Sequence, residues 1–255
     1  MIHPTAIVHP QAVIGAGCEI GPYCVIGEHV TLGEKCRLHS HVVIDGHTRL
    51  GRENEIFPFA SVGLKTQDLK WKGGKTRVEI GDSNTFRECV TINSATADGE
   101  VTSVGSHNHI LAYCHIAHNC VLGDRIIMSN VATLAGHVTV DDHAVIGGLV
   151  AIHQFCRIGR MSMIGGCSKV VQDVPPFMLA DGNPAETRTI NKIGMERNGM
   201  SETVQSAMRQ AYKILFREGL TISNAVVQLE KEVPKLEEIQ HLVQFVRSSE
   251  RGISK

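Results

Sequence analysis

Two histidines three positions apart, His115 and His118, lie between Cys114 and Cys120 in the segment CHIAHNC. Side chains of these types support three kinds of chemistry. A neutral imidazole takes a proton near pH 7 and serves as a general base. Imidazoles and thiolates converging in a tetrahedron hold zinc, which needs four such ligands. On an ordinary strand the same residues are two polar side chains and two small apolar ones. Which applies depends on what the chain makes of a three-residue spacing.

The bulk numbers narrow the classes. With 255 residues the chain is long enough for one large or two small domains. A formal net charge of −1 gives no overall field toward nucleic acid or a membrane surface. Fourteen histidines, 25 glycines and only 4% aromatics point to many short strands and tight turns. The eight cysteines occur singly, without a CxxC pair. The start, MIHPTAIVHPQAVIG, lacks the basic and apolar regions of a signal peptide, and no apolar run reaches the ~18 residues of a membrane helix. The expectation is a cytoplasmic protein with reduced thiols and no integral membrane segment, with disulfides as the alternative.

A repeat must position the histidines. Stepping by six from Ile2 meets Val8, Ile14, Ile20, Ile26, Leu32, Leu38, Ile44, Leu50, Ile56 and Val62. The phase resumes at Ile80, Phe86 and Ile92, and runs unbroken from Val104 to Val170. Only Asp68, Gly74 and Asp98 interrupt it. A six-residue period matches neither a helix nor an amphipathic strand. It matches the hexapeptide repeat of a parallel β-helix, in which three hexads close one triangular coil and the aliphatic residue points into the prism. The polar segments 64–79 and 93–103 leave the phase and are expected as protruding loops, where binding residues concentrate. Pro175-Pro176 marks the exit. Beyond it, Val204, Met208, Ala211, Ile214 and Leu215 form a helical stripe with Ser201 as N-cap and Gly219 past its end. A second helix is expected after Ser223 and a third with Pro234 in its first turn. The fold class is therefore mainly β: a parallel β-helix over 1–190, followed by a small helical domain over 191–255.

Residues one coil apart stack. His118 then lies under Gly136, and Gly136 under Gln154, with His137 and His153 to either side and His115 on the same strand. A histidine beside a bare backbone N–H is a base next to an oxyanion donor, the constellation of acyl transfer. Gly148 stacks under Gly166, and two side-chain-free positions could leave a slot for an apolar chain. Taken alone, both glycines are better explained by simple turn geometry. The cysteines flanking Ile116 fall inward by parity and pack as small hydrophobes.

At these residues the chain resembles the UDP-N-acetylglucosamine O-acyltransferases of lipid A biosynthesis. The resemblance rests on HIAHNC at 115–120, ATLAGHVTVDD at 132–142, IGG and HQFC within 146–156, GGCSKVVQDVPP at 165–176, and QDLK at 67–70. It implies the left-handed form of the β-helix and a homotrimer. It implies transfer of an (R)-3-hydroxyacyl chain from acyl carrier protein to the 3-position of UDP-N-acetylglucosamine. No cofactor or metal is expected beyond the phosphopantetheine carrying the donor. His118 corresponds to the general base and Gly136 to the oxyanion donor. Gln67, Asp68, Lys70, His115, His137, His153 and Gln154 correspond to residues around the substrates, and Asn191 and Arg197 to the nucleoside end. Gly166, with Gly148, corresponds to the limit on acyl length. Two departures stand out. Asn119 follows the base where the family often has Asp. TINSAT at 91–96 replaces TIHRGT, so that Asn93 and Ser94 stand for a His and an Arg; this raises the 3-amino analogue of the sugar as an acceptor. Arg157, Arg160 and Lys169 are candidates for docking the acidic carrier protein. Two other classes remain in view: a hexapeptide metalloenzyme of the carbonic anhydrase-like type, and a non-catalytic β-helix.

Overall fold

A computed structural model of the chain describes residues 1–255. Most of the strands are two residues long and parallel to their neighbours one coil away, forming three sheets of nine, eight and ten strands. The first face runs from Ile7–Val8 to Lys169–Val170, the second from Val13–Ile14 to Arg157–Ile158, and the third from Glu19–Ile20 to the C-terminal hairpin. Registers such as His115↔Thr133 and Ile116↔Leu134 place residues 18 positions apart side by side. Every six-step residue from Ile20 to Val170 outside the interruptions is buried in one continuous core. At the N-terminal end the coil is open: Ile2 bridges Ile20 but is 49% exposed.

Each hexad also buries the residue two places earlier, which the period alone did not reveal. Cys18, Cys24, Cys36, Cys114, Cys120, Ala132 and Ala144 fill this second column. Their small size suits a position beside a bend. Cys114 and Cys120 donate Sγ–H to the carbonyls of Ser129 and Ala135. Burial pushes their thiols up to about 11 and about 12. All eight cysteines are free. On the corner between the second and third faces the column carries Asn54, Asn84 and Asn108 instead. Their amides stack: Asn54 Oδ1 accepts from Asn84 Nδ2, Asn84 Oδ1 from the Asn108 N–H, and Asn108 Oδ1 from the Ile126 N–H.

Both protruding loops leave from the corner between the first and second faces, and they are shorter than the polar segments implied. The strands Ser61–Leu64, Arg77–Ile80, Thr91–Asn93 and Val101–Val104 extend into them, leaving 65–76 and 94–100. The ladder continues into polar sequence because Val78 and Thr102 still point inward. The loops are tied together by Thr66 Oγ1 to Thr96 Oγ1 (3.0 Å) and by the Lys75 N–H to Asp98 Oδ1 (2.6 Å).

Past the prism, strands Met178–Gly182 and Ala185–Ile190 form an antiparallel hairpin on the third face. Helices α1 (Lys192–Arg197), α2 (Glu202–Phe216), α3 (Ile222–Glu232) and α4 (Glu237–Arg247) follow and share a second core with Phe177 and Met178. Ser201 caps α2 as expected. The cap of α3 is Thr221 rather than Ser223, and Pro234 precedes α4 instead of lying in its first turn. Helix α1 was not foreseen: six residues containing Gly194 carry too little periodicity. No helix is long and apolar enough to cross a membrane.

Candidate active site

The strand carrying His115 ends at Ile116. His118 therefore sits on the corner turn, not on the strand as expected, while His115 stays on the first face. Asn119, the next residue, adopts φ +60°, as do His137 (+60°) and Phe155 (+68°) above it. In these three coils a left-handed second residue turns the corner, and asparagine adopts that conformation at lower cost than most residues.

The stacking of His118 on Gly136 is close. A Cβ at position 136 would lie 2.3 Å from Cε1 and 2.4 Å from Nε2 of His118. The imidazole thus occupies the space that any side chain there would fill. The Gly136 N–H donates to no group of the chain. His118 itself is only 8% exposed. Its Nδ1 lies 3.0 Å from Asn119 Oδ1, and its Nε2 lies 3.7 Å from Asp68 Oδ2 of the first loop. Asp68 Oδ1 accepts from the Lys70 N–H, which fixes the loop's turn.

Other expected residues gather here. His137 meets His118 edge-on at 5.2 Å and stacks on Phe155 at 4.8 Å. His115 Nδ1 contacts Thr91 Oγ1 at 2.7 Å. Burial first, then the neighbouring His118, lowers the pKa of both His115 and His137, which keeps their rings neutral. A cleft of about 410 Å³ is lined by Asp68, Lys70, Glu100, His137, Gln154 and Phe155. Gln67 is exposed on the same loop. His153 is exposed beside it, its Nδ1 3.3 Å from Arg251 Nη2, a C-terminal residue that the repeat could not place.

The remaining expected residues lie elsewhere in a single chain. Gly148 and Gly166 stand on the corner between the third and first faces. Neither has a positive φ, and a Cβ at either would meet nothing closer than 3.3 Å. Turn geometry therefore does not require glycine at these two positions. Asn191 caps α1, with Oδ1 accepting from the Gly194 N–H and Nδ2 donating to the Met161 carbonyl, so both ends of its amide serve the fold. Arg197 ends that helix. Of the docking candidates, Arg157 bonds Ser248 and lies over the Phe245 ring, and Arg160 has a buried Nε. Only Lys169 is exposed. Cys114 and Cys120 point into the core, and no three His, Cys, Asp or Glu side chains of the chain converge to hold a metal.

One residue at the site escaped the sequence. Glu100, from the second loop, accepts at Oε2 from Asn119 Nδ2 (2.7 Å) and from the Ala97 N–H (3.0 Å). These two donors hold its carboxyl below the usual range. The available signal was Asn119 itself: a neutral residue beside a buried histidine invites a nearby carboxylate.

A hexad-built prism with a histidine-lined corner defines a hexapeptide-repeat transferase, and residues 1–34 and 11–46 match the bacterial transferase hexapeptide (six repeats). Residues 173–254 match UDP-N-acetylglucosamine O-acyltransferase, domain 2. Across its full length the chain is 48% identical to LpxA from Acinetobacter baumannii, with a TM-score of 0.97 over 99% of that chain. It is 40% identical to LpxA, a UDP-N-acetylglucosamine acyltransferase from Bacteroides fragilis, with a TM-score of 0.98 over 100% of that chain. The UDP-N-acetylglucosamine acyltransferase of Arabidopsis is 36% identical, with a TM-score of 0.89 over 100% of that chain. The chain belongs to the UDP-N-acetylglucosamine O-acyltransferase family.

Proposed function

We propose that this enzyme transfers an (R)-3-hydroxyacyl chain from acyl carrier protein to the 3-position of UDP-N-acetylglucosamine, the first step of lipid A biosynthesis, in the cytoplasm. The observation that carries the mechanism is the contact of the His118 ring with Gly136, which puts a base and an unpaired N–H at one point. His118 Nε2 takes the proton of the 3-hydroxyl as its oxygen attacks the thioester carbonyl. The Gly136 N–H stabilises the oxyanion that forms. Collapse expels the phosphopantetheine thiolate, which takes the proton back from His118. Asp68 and Lys70 orient the sugar nucleotide, with Lys70 serving as a point charge for its phosphates. Gln67, His115, His137, His153 and Gln154 complete the substrate surfaces. The chemistry needs no resident cofactor or metal.

His118 and the glycine pair 148/166 stand on different corners, so one site containing both takes a corner from each of two chains. A homotrimer supplies that arrangement three times over. The acyl chain then runs along Gly148 and Gly166 of the neighbouring subunit, and the nucleoside end meets Asn191 and Arg197.

A specific observation favours the 3-amino sugar as a second acceptor. Asn93 Nδ2 donates to the Leu64 and Lys65 carbonyls, and Ser94 Oγ accepts from Thr76. Both side chains serve the loop bases, and neither brings an imidazole or guanidinium near an ammonium-bearing acceptor. Incubation with each acceptor and long (R)-3-hydroxyacyl carrier protein, read by mass spectrometry, tests the proposal. The expected result is an acylated sugar nucleotide whose formation falls at least ~100-fold in His118→Ala. Failure with both acceptors, or an undiminished rate in the variant, would overturn it.

A further inference from the structure

We infer that Glu100 is a positioning residue for the base: it fixes the orientation of the Asn119 amide, and through it the tautomer of His118. The inference rests on the proposed role of His118 as base. The argument starts from donor and acceptor inventories. A carboxylate accepts hydrogen bonds and donates none. Glu100 Oε2, 2.7 Å from the Asn119 amide, therefore requires the Nδ2 end of that amide to face it. The opposite end, Oδ1, is then turned to the Thr96 N–H (3.1 Å) and to His118 Nδ1 (3.0 Å). An amide oxygen only accepts, so Nδ1 of His118 must carry the hydrogen. The lone pair is left on Nε2, the atom nearest Asp68 and against Gly136.

A lone asparagine beside a histidine gives no such assurance. Its amide flips at little cost, and the flipped form would donate from Nδ2 to His118 Nδ1, which puts the ring hydrogen on Nε2 and closes the base. Two contacts prevent this here, Glu100 on the amide nitrogen and Thr96 on the amide oxygen, while Thr102 Oγ1 accepts from the backbone N–H of Asn119 at 2.8 Å and holds the residue in place. Glu100 is held in turn by the Ala97 N–H. The same carboxylate supplies a negative charge one residue removed from the ring, where the departure at 119 leaves none. The other charged groups around the ring are Asp68 and Lys70 on the first loop, and the titratable rings of His115 and His137 lie on the coil surfaces.

Glu100→Gln preserves size and polarity but can either donate or accept, so the amide is no longer fixed. In the full chain with ¹⁵N-labelled histidine, His118 is expected as the Nδ1–H tautomer, identified by the signal missing in His118→Gln. In Glu100→Gln that signal moves toward a mixture, and kcat falls by about tenfold with KM for either substrate little changed. The double variant Asn119→Asp, Glu100→Gln places an acceptor-only group directly on Nδ1 and restores both the tautomer and at least half of the rate. Glu100 could alternatively act by holding its loop; that role would not be rescued by a change at 119. An unchanged His118 signal in Glu100→Gln, or a loss of rate without rescue, would overturn the inference. If the wild type transfers nothing to either acceptor, the proposed function fails, while the tautomer spectra still decide the role of Glu100.

Discussion

A methyl group at position 136 would overlap the ring proposed as the base. Gly136 has no positive φ, so its backbone accepts alanine, and the conflict is confined to His118, 2.3 Å away. Gly136→Ala is therefore expected to fold and melt close to the wild type but to lose transfer by about 100-fold or more, since small misplacements of a reacting group cost that much. Rates and melting curves measured together check this; a rate within threefold of wild type would remove the contact from the mechanism. At this scale much of the site was legible. One coil of spacing put Gly136 over His118 and Gln154 over Gly136 because the phase is unbroken from Val104 to Val170. Two things were not. The corner position of His118 depends on strands ending after two residues, which a six-residue period does not specify. Glu100 comes from a loop outside the phase, so no count of residues could bring it to Asn119.

Among the elements, the corner amides make the clearest test. Asn108 is fully enclosed; it donates to the Gly123 carbonyl and accepts from the Ile126 N–H. Asn108→Leu leaves both backbone groups buried without partners, at a cost of about 2–4 kcal/mol. The expected drop in melting temperature is roughly 5–15 °C. Transfer at room temperature should survive, because this corner is not the one bearing His118. A melting temperature within a degree or so of wild type would show that the ladder adds nothing. The aliphatic column was plain from sequence because it repeats one chemical type. The second inward column was hidden by its variety, since cysteine, alanine, valine and asparagine share only smallness. The loops ran shorter than their polarity suggested because Val78 and Thr102 kept the ladder going. The caps at Thr221 and Leu236 shifted the last helices by a few residues, a scale at which propensity is weak.

For the whole molecule, the corner between the third and first faces carries the exposed apolar side chains Tyr23, Phe59, Tyr113, Val131 and Leu149, with His41 between the first two and Cys89 between the second and third. Gly148 and Gly166 belong to the same corner. In the proposed homotrimer this apolar edge would be buried against a neighbour's His118 corner and complete the proposed site. Light scattering is expected to give three times the 27.8 kDa chain mass. Leu149→Glu should shift the mass toward one chain and abolish transfer together. A fully active single chain would refute the shared site. The prism and the tail were readable from periodicity alone, whereas the packing of chains was not, since a repeat encodes contacts 18 residues apart and nothing about other molecules.

The two ends of the prism are unlike. The C-terminal coil is closed by a hairpin and four helices, while the first coil offers Ile2 half to water. In a stack where each rung leans only on its neighbours, loosening starts at the unprotected end and travels inward rung by rung. The histidine corner follows the sixth of the nine first-face strands, five rungs from the open end and three from the plugged one. Thermal fraying is thereby directional: amide protons near Ile7 and Val13 are expected to exchange with solvent before those around His118, so that the geometry of the proposed site outlasts the breathing of the open end.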